Sequence, residues 1–272
     1  MKHLAWLLAF GVALPASADR LDEIARRGEI RLAVRAEAPP FSFVGPDGQP
    51  TGWSVELCGR IAAAVDEAAG VPIRTVHVPV TGADRFAAVT EGRADLLCEA
   101  TTLTLSRREA MDFTVLTFGT VITFATTPKL AATLRQRAPR KVGVLAGTTS
   151  ATLLANRPGT QVVTMPDHLS GMRALRDSEI EAYVGDRAIL MGLVAAAGPG
   201  PGLMIAETSF GVEPYAIGLP RGESRLRLLA DRTLARFYHS EELKPALTRW
   251  FGAATADDPV METLFTLQAL PE

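Results

Sequence analysis

Strand-forming runs alternate with helix-forming runs along this chain, and the alternation begins twice. Residues 21–27 have an amphipathic helical period that Gly28 ends, and residues 30–35 alternate as a strand does. Pro46-Asp47-Gly48 reads as a turn. A helix over 55–69 stops at Gly70, a strand covers 71–78, a helix over 83–91 ends at Gly92, and 94–98 form a short apolar strand. The order restarts with a strand over 141–145. Gly147-Thr148-Thr149-Ser150 then opens a helix through Asn156. A strand over 161–165, a helix over 168–177, a strand over 182–185 and a helix to Ala197 follow, and the Gly/Pro run 198–202 reads as a loop. Strands separated by helices pair in parallel, so the pattern predicts an α/β fold in two similar halves, without a sequence repeat. Late helices over 226–238 and 244–251 are expected to return and pack on the first half.

The 272 residues are 47% hydrophobic and 21% charged, enough for two modest domains with cores of their own. A net charge of -2 without a basic run excludes a phosphate-neutralising face, and 6% aromatics supply no platform for stacked bases. No nucleic-acid partner is therefore expected. Residues 1–18 read as an export signal. Lys2 is followed by an apolar stretch over 4–14, too short to span a bilayer, then by Pro15 and Ala16-Ser17-Ala18. Cleavage is expected after Ala18. The two cysteines, Cys58 and Cys98, are candidates for a disulfide worth about 4 kcal/mol in the chain-entropy model, with two buried thiols as the open alternative. Four histidines and two cysteines without ligand spacing predict no metal, and no cofactor motif is present.

The segment from Thr81 to Thr114 carries Arg85, Val89, Gly92, Asp95, Thr102, Arg107 and Phe113-Thr114 at spacings that resemble the solute-binding proteins of polar amino-acid ABC importers (bacterial solute-binding protein family 3). The blocks RLAVRAEAPPFSF, GWSVELC, VGVLAGTTSATLL, AYVGDRAIL and EPYAIGLP extend the resemblance, in order, over nearly the whole mature chain. The resemblance implies a type II periplasmic-binding-protein fold: two α/β lobes joined by two crossover strands, with the ligand in the cleft. Lobe one would be residues 19–118 and 215–272, and lobe two, including hinge strands, 119–214. It also implies a periplasmic monomer that delivers a free amino acid to an inner-membrane permease and is not an enzyme.

A free amino acid presents a carboxylate, an ammonium and a side chain. Arg107 suits the α-carboxylate because its planar fork pairs with two oxygens and stays charged when buried, although one of two adjacent arginines is otherwise a surface residue. The resemblance adds the Thr102 hydroxyl, the backbone at Ala100 and the Thr148 hydroxyl, whose plain alternative is a helix cap. It assigns Asp186 to the ammonium, again with a cap as the alternative. A second acid of the relatives is Arg187 here.

For the side chain, the chain is most similar to the glutamate/aspartate-binding branch, through Arg35, Arg85 and His168. Those arginines with Arg107, against Asp186 and a neutral His168, make a site near +2 that an acidic amino acid would compensate. Glu99 stands where relatives carry a small residue. Pointing inward it would cancel an arginine and favour a neutral or cationic ligand; pointing outward it would leave the acidic reading intact. Ala100 stands where that branch has Ser. Phe43 is a candidate aromatic wall. The rivals are a glutamine- or asparagine-binding protein, a cyclohexadienyl dehydratase-like enzyme using Glu37, Glu99 or Glu213 as its acid, and a sensory module that signals occupancy to a receptor.

Overall fold

A computed structural model describes residues 19–155, 157–198 and 202–272. The export signal, the last residue of the helix predicted to reach Asn156, and the centre of the Gly/Pro loop lie outside the described residues. The expected alternation is present. Glu29–Val34 pairs in parallel with Arg74–Pro79 and Leu96–Leu97, and Lys141–Leu145 pairs in parallel with Gln161–Met165 and Ala182–Asp186. Helices Trp53–Ala69 and Arg85–Thr90 connect the first set, and Thr149–Ala155 and His168–Arg176 the second. The longest of these helices, Trp53–Ala69, buries an apolar stripe of Leu57, Cys58, Ile61 and Val65.

Two long strands join the sets. Met111–Thr126 and Val212–Pro220 run antiparallel, from Met111 against Pro220 to Val121 against Val212. Val212–Pro220 continues to Leu97 on one side, and Met111–Thr126 continues to Ala182–Asp186 on the other. From local pattern the sequence assigns no element to 99–140, 203–225 or 252–272; the two crossover strands come only from the resemblance. The run of Val, Thr, Phe and Ile in 111–126 lacks clean alternation because the strand passes through both lobes and changes buried face on the way. The C-terminal helices Ser224–His239, Leu243–Phe251 and Pro259–Gln268 pack on the first lobe. There Trp53, fully buried, meets Phe237, Phe251 and Phe265 and donates its indole N–H to Thr117 O at 2.9 Å.

Asp95 anchors the first lobe. Its sealed carboxylate takes ion pairs from Arg27 at 2.6 Å and Arg31 at 3.3 Å and accepts the Arg31 backbone N–H at 2.8 Å. Cys58 and Cys98 form a disulfide between Trp53–Ala69 and the segment after Leu96–Leu97. Among the described residues no helix is long and apolar enough to cross a membrane.

Candidate functional site

The ends of the parallel strands from both lobes face one another, where open α/β sheets commonly hold ligands. Arg35, Arg85, Ala100, Thr102 and Arg107 from the first lobe and Thr148, His168 and Asp186 from the second line a single cavity there. These are the eight residues named for ligand contact from the sequence. The lobes also touch across it. Arg85 Nη2 and Arg107 Nη2 both donate to Gly147 O, at 2.9 and 3.4 Å. The His168 backbone N–H donates to Glu37 Oε2 at 2.7 Å, and Glu213, on a joining strand, accepts from Thr102 Oγ1 of the first lobe and from Thr149 Oγ1 of the second.

Arg107 lies in the short helix Leu105–Arg108, capped by Thr104, while its neighbour Arg108 points to solvent. Arg107 Nη1 donates to Thr102 O at 2.7 Å, and its guanidinium stacks over Phe86, as that of Arg85 does. Burial first, and then the Arg85 charge, press its pKa down. Two cations held together on one ring present a positive field that an anion would relieve.

Asp186 ends the strand Ala182–Asp186 and occupies a helix N-cap position, yet it makes no capping bond. Its carboxylate instead accepts from Tyr215 OH. The residue keeps some exposed surface, but its carboxyl is crowded by protein; burial first, and then the Glu213 charge, push its pKa up to about 7. An ammonium would restore the ionised form. Thr148, by contrast, does cap its helix: its hydroxyl donates to Leu145 O at 2.8 Å and accepts from Ala151 N at 3.1 Å.

His168 is buried, with Nδ1 3.0 Å from Tyr183 OH. Burial, followed by the charges of Arg35 and Arg85, lowers its pKa to about 3, so it is neutral near pH 7. Arg35 and Arg85 are each only 4% exposed. Glu99, 2% exposed, lies between them on the cavity wall, with Oε1 3.0 Å from Arg85 Nε and Oε2 3.5 Å from Arg35 Nη1. It points inward, so the charge near +2 counted without it is reduced. Three guanidiniums face two carboxylates, Glu99 and Asp186, on the lining. Glu37 stands behind on Arg35, and Glu213 on Thr102 and Thr149.

Phe43 does not wall the cavity. On the strand Ser42–Val44, Ser42 takes the inward face and its Oγ accepts from Arg35 N at 2.8 Å. Alternation therefore turns Phe43 outward, where its ring meets Trp250. Arg187 also leaves the site, donating to Ala206 O and Glu207 O. Sequence reasoning assigns no ligand role to Glu213, Tyr215 or Ser150. Ser150 lines the cavity with a buried hydroxyl that has no hydrogen-bond partner. The block EPYAIGLP holds Glu213 and Tyr215, but nothing in its local pattern shows that they meet Thr102 and Asp186. Among the described residues no cluster of His, Cys, Asp or Glu could hold a metal ion.

The model of the bacterial extracellular solute-binding proteins, family 3, matches residues 30–253. The chain belongs to that family. Its similarity to the L-glutamate/L-aspartate-binding protein of Pseudomonas aeruginosa is 26% identity over 257 residues, covering 91% of this chain and 85% of that protein. The glutamate/aspartate import solute-binding protein of Escherichia coli is 26% identical over 88% of this chain and 82% of its own length. Among solved structures, the solute receptor for L-cysteine of Neisseria gonorrhoeae superposes with a TM-score of 0.76 at 22% identity, over 89% of this family 3 chain and 98% of the other. The fold is the two-lobed α/β fold of periplasmic binding proteins.

Proposed function

We propose that this protein is the periplasmic binding component of an amino-acid ABC importer. It closes on a free acidic amino acid and presents the closed form to an inner-membrane permease. The observation that carries this reading is the convergence on one cavity of an arginine with a cation beside it, Arg107, and an acid pushed up to about 7, Asp186. They come from opposite lobes, and they suit the α-carboxylate and the ammonium. A ligand that touches both lobes binds the closed form better and shifts the population toward it. The lobes in this reading are residues 19–118 with 215–272, and 119–214. Residues 1–18 serve as a leader removed after Ala18.

The acidic side chain is supported by the glutamate/aspartate-binding relatives and by the single net positive charge of a lining with Asp186 ionised. A second reading, a neutral polar amino acid such as glutamine or asparagine, is favoured by Glu99 and Glu37, which already pair with Arg35 and Arg85. Calorimetry over the common amino acids tests both. Tightest binding of glutamate or aspartate supports the first, an amide ranking above them supports the second, and binding of no amino acid removes both.

We infer that the protein does not catalyse dehydration. Glu37, Glu99 and Glu213 are each already engaged by guanidinium, hydroxyl or backbone donors, whereas the reaction needs an acid free to reach a ring substrate. Asp186 is the carboxyl that a turnover assay with prephenate or arogenate would probe, and no turnover is expected.

A further inference from the structure

Glu99 is fixed from both ends. Ser54 Oγ donates to its carbonyl at 3.0 Å, and Cys98 beside it is tied by the disulfide to the same helix that carries Ser54. Its carboxylate accepts from Thr101 Oγ1 at 2.7 Å and lies against Arg85 and Arg35. The two arginines have further acceptors in Glu37, Gly82 O and Gly147 O, but the buried Nε–H of each has no hydrogen-bond acceptor. Arg85 Nε is close enough to Glu99 for an ion pair, yet its N–H is not aimed at the carboxylate. One carboxylate thus serves two guanidiniums without satisfying them.

We propose that Glu99 is the residue that sets side-chain specificity: an internal carboxylate that occupies Arg35 and Arg85 where a ligand's side-chain carboxylate would otherwise hold them. The proposal rests on the reading of the cavity as an amino-acid site. An entering acidic side chain meets the two arginines and a like charge among them. A neutral amide meets a nearly balanced group that still has donors to offer. Like charges forced together in a desolvated site cost enough to change affinity by about ten- to a hundredfold. Glu99 therefore narrows the preference for acidic over neutral amino acids, and that preference widens when its charge is removed.

The test compares glutamate with glutamine, and aspartate with asparagine, by calorimetry on wild-type protein and on Glu99→Gln. The variant keeps the shape and the hydrogen bond to Thr101, and Arg35 keeps Glu37. The wild-type ratio of glutamate to glutamine affinity is expected to stay below about tenfold, and Glu99→Gln is expected to raise it by about tenfold or more. An unchanged ratio in the variant overturns the proposal. Should the variant not fold, a wild-type ratio below about tenfold supports the proposal and a larger one overturns it. Failure of every amino acid to bind either protein would instead remove the amino-acid reading, so the two failures are distinguishable.

Discussion

Arg85 Nε lies 3.0 Å from Glu99 Oε1, and both side chains are sealed from solvent at the cleft wall. A buried cation next to a buried anion is costly to break and adds little net stability when intact. Its consequence here is for recognition, because Arg85 also reaches across the cleft to Gly147 O. Charge balance and lobe contact are carried by the same side chain.

Arg107→Ala removes the fork proposed for the α-carboxylate. Leaving a buried carboxylate unpaired costs about 2–5 kcal/mol, so amino-acid affinity should fall by roughly thirtyfold or more in calorimetry. Binding within threefold of wild type would remove Arg107 from the site.

Amino-acid affinity should depend on pH through Asp186. Its carboxyl faces Glu213, Tyr215, Arg107 and Glu99, and near pH 7 it is about half protonated. An ammonium needs the ionised form, so binding releases a proton and weakens as pH falls below 7, by about thirtyfold between pH 8 and pH 5.5. Asp186→Asn should bind weakly throughout and lose this slope. Titration in buffers of different ionisation enthalpy reads the released proton directly.

His168 makes the opposite kind of statement, about stability. Its folded pKa, about 3, lies below the unfolded value, so its contribution is fully present above about pH 6.5 and is lost as pH falls toward 3. The total is on the order of a few kcal/mol. In denaturant unfolding, His168→Gln should lose less stability than wild type between pH 6.5 and 4. Parallel curves for the two proteins would show that the ring is not held neutral.

Gly192, in the helix Arg187–Ala196, touches the other lobe. A Cβ there would lie 2.5 Å from Pro39 O, which a closed cleft cannot accommodate without movement. Gly192→Ala should penalise the closed form and lower affinity by about three- to thirtyfold, with a larger radius of gyration in X-ray scattering at saturating ligand. Wild-type affinity and compactness in this variant would place the lobe contact elsewhere.

Much of the fold is legible in the sequence because helices and parallel strands are local patterns, punctuated by Gly28, Gly70 and Gly92 at their ends. Met111–Thr126 is less legible, since its burial pattern is set by two lobes rather than by one face. In the site, the family resemblance points to Thr102, Arg107 and Asp186, and all three line the cavity. Glu213 and Tyr215 escape such a reading because their partners, Thr102 and Asp186, are 111 and 29 residues away in the chain.

The sequence by itself determined the α/β alternation, the family resemblance and the residue types available to an amino-acid site. The tertiary structure decided which way side chains face: Glu99 inward between Arg35 and Arg85, and Phe43 outward onto Trp250. The reason is physical. Periodicity fixes a residue's place on its own element, but what opposes it, and therefore whether its charge is paired, depends on segments packed against it from far along the chain.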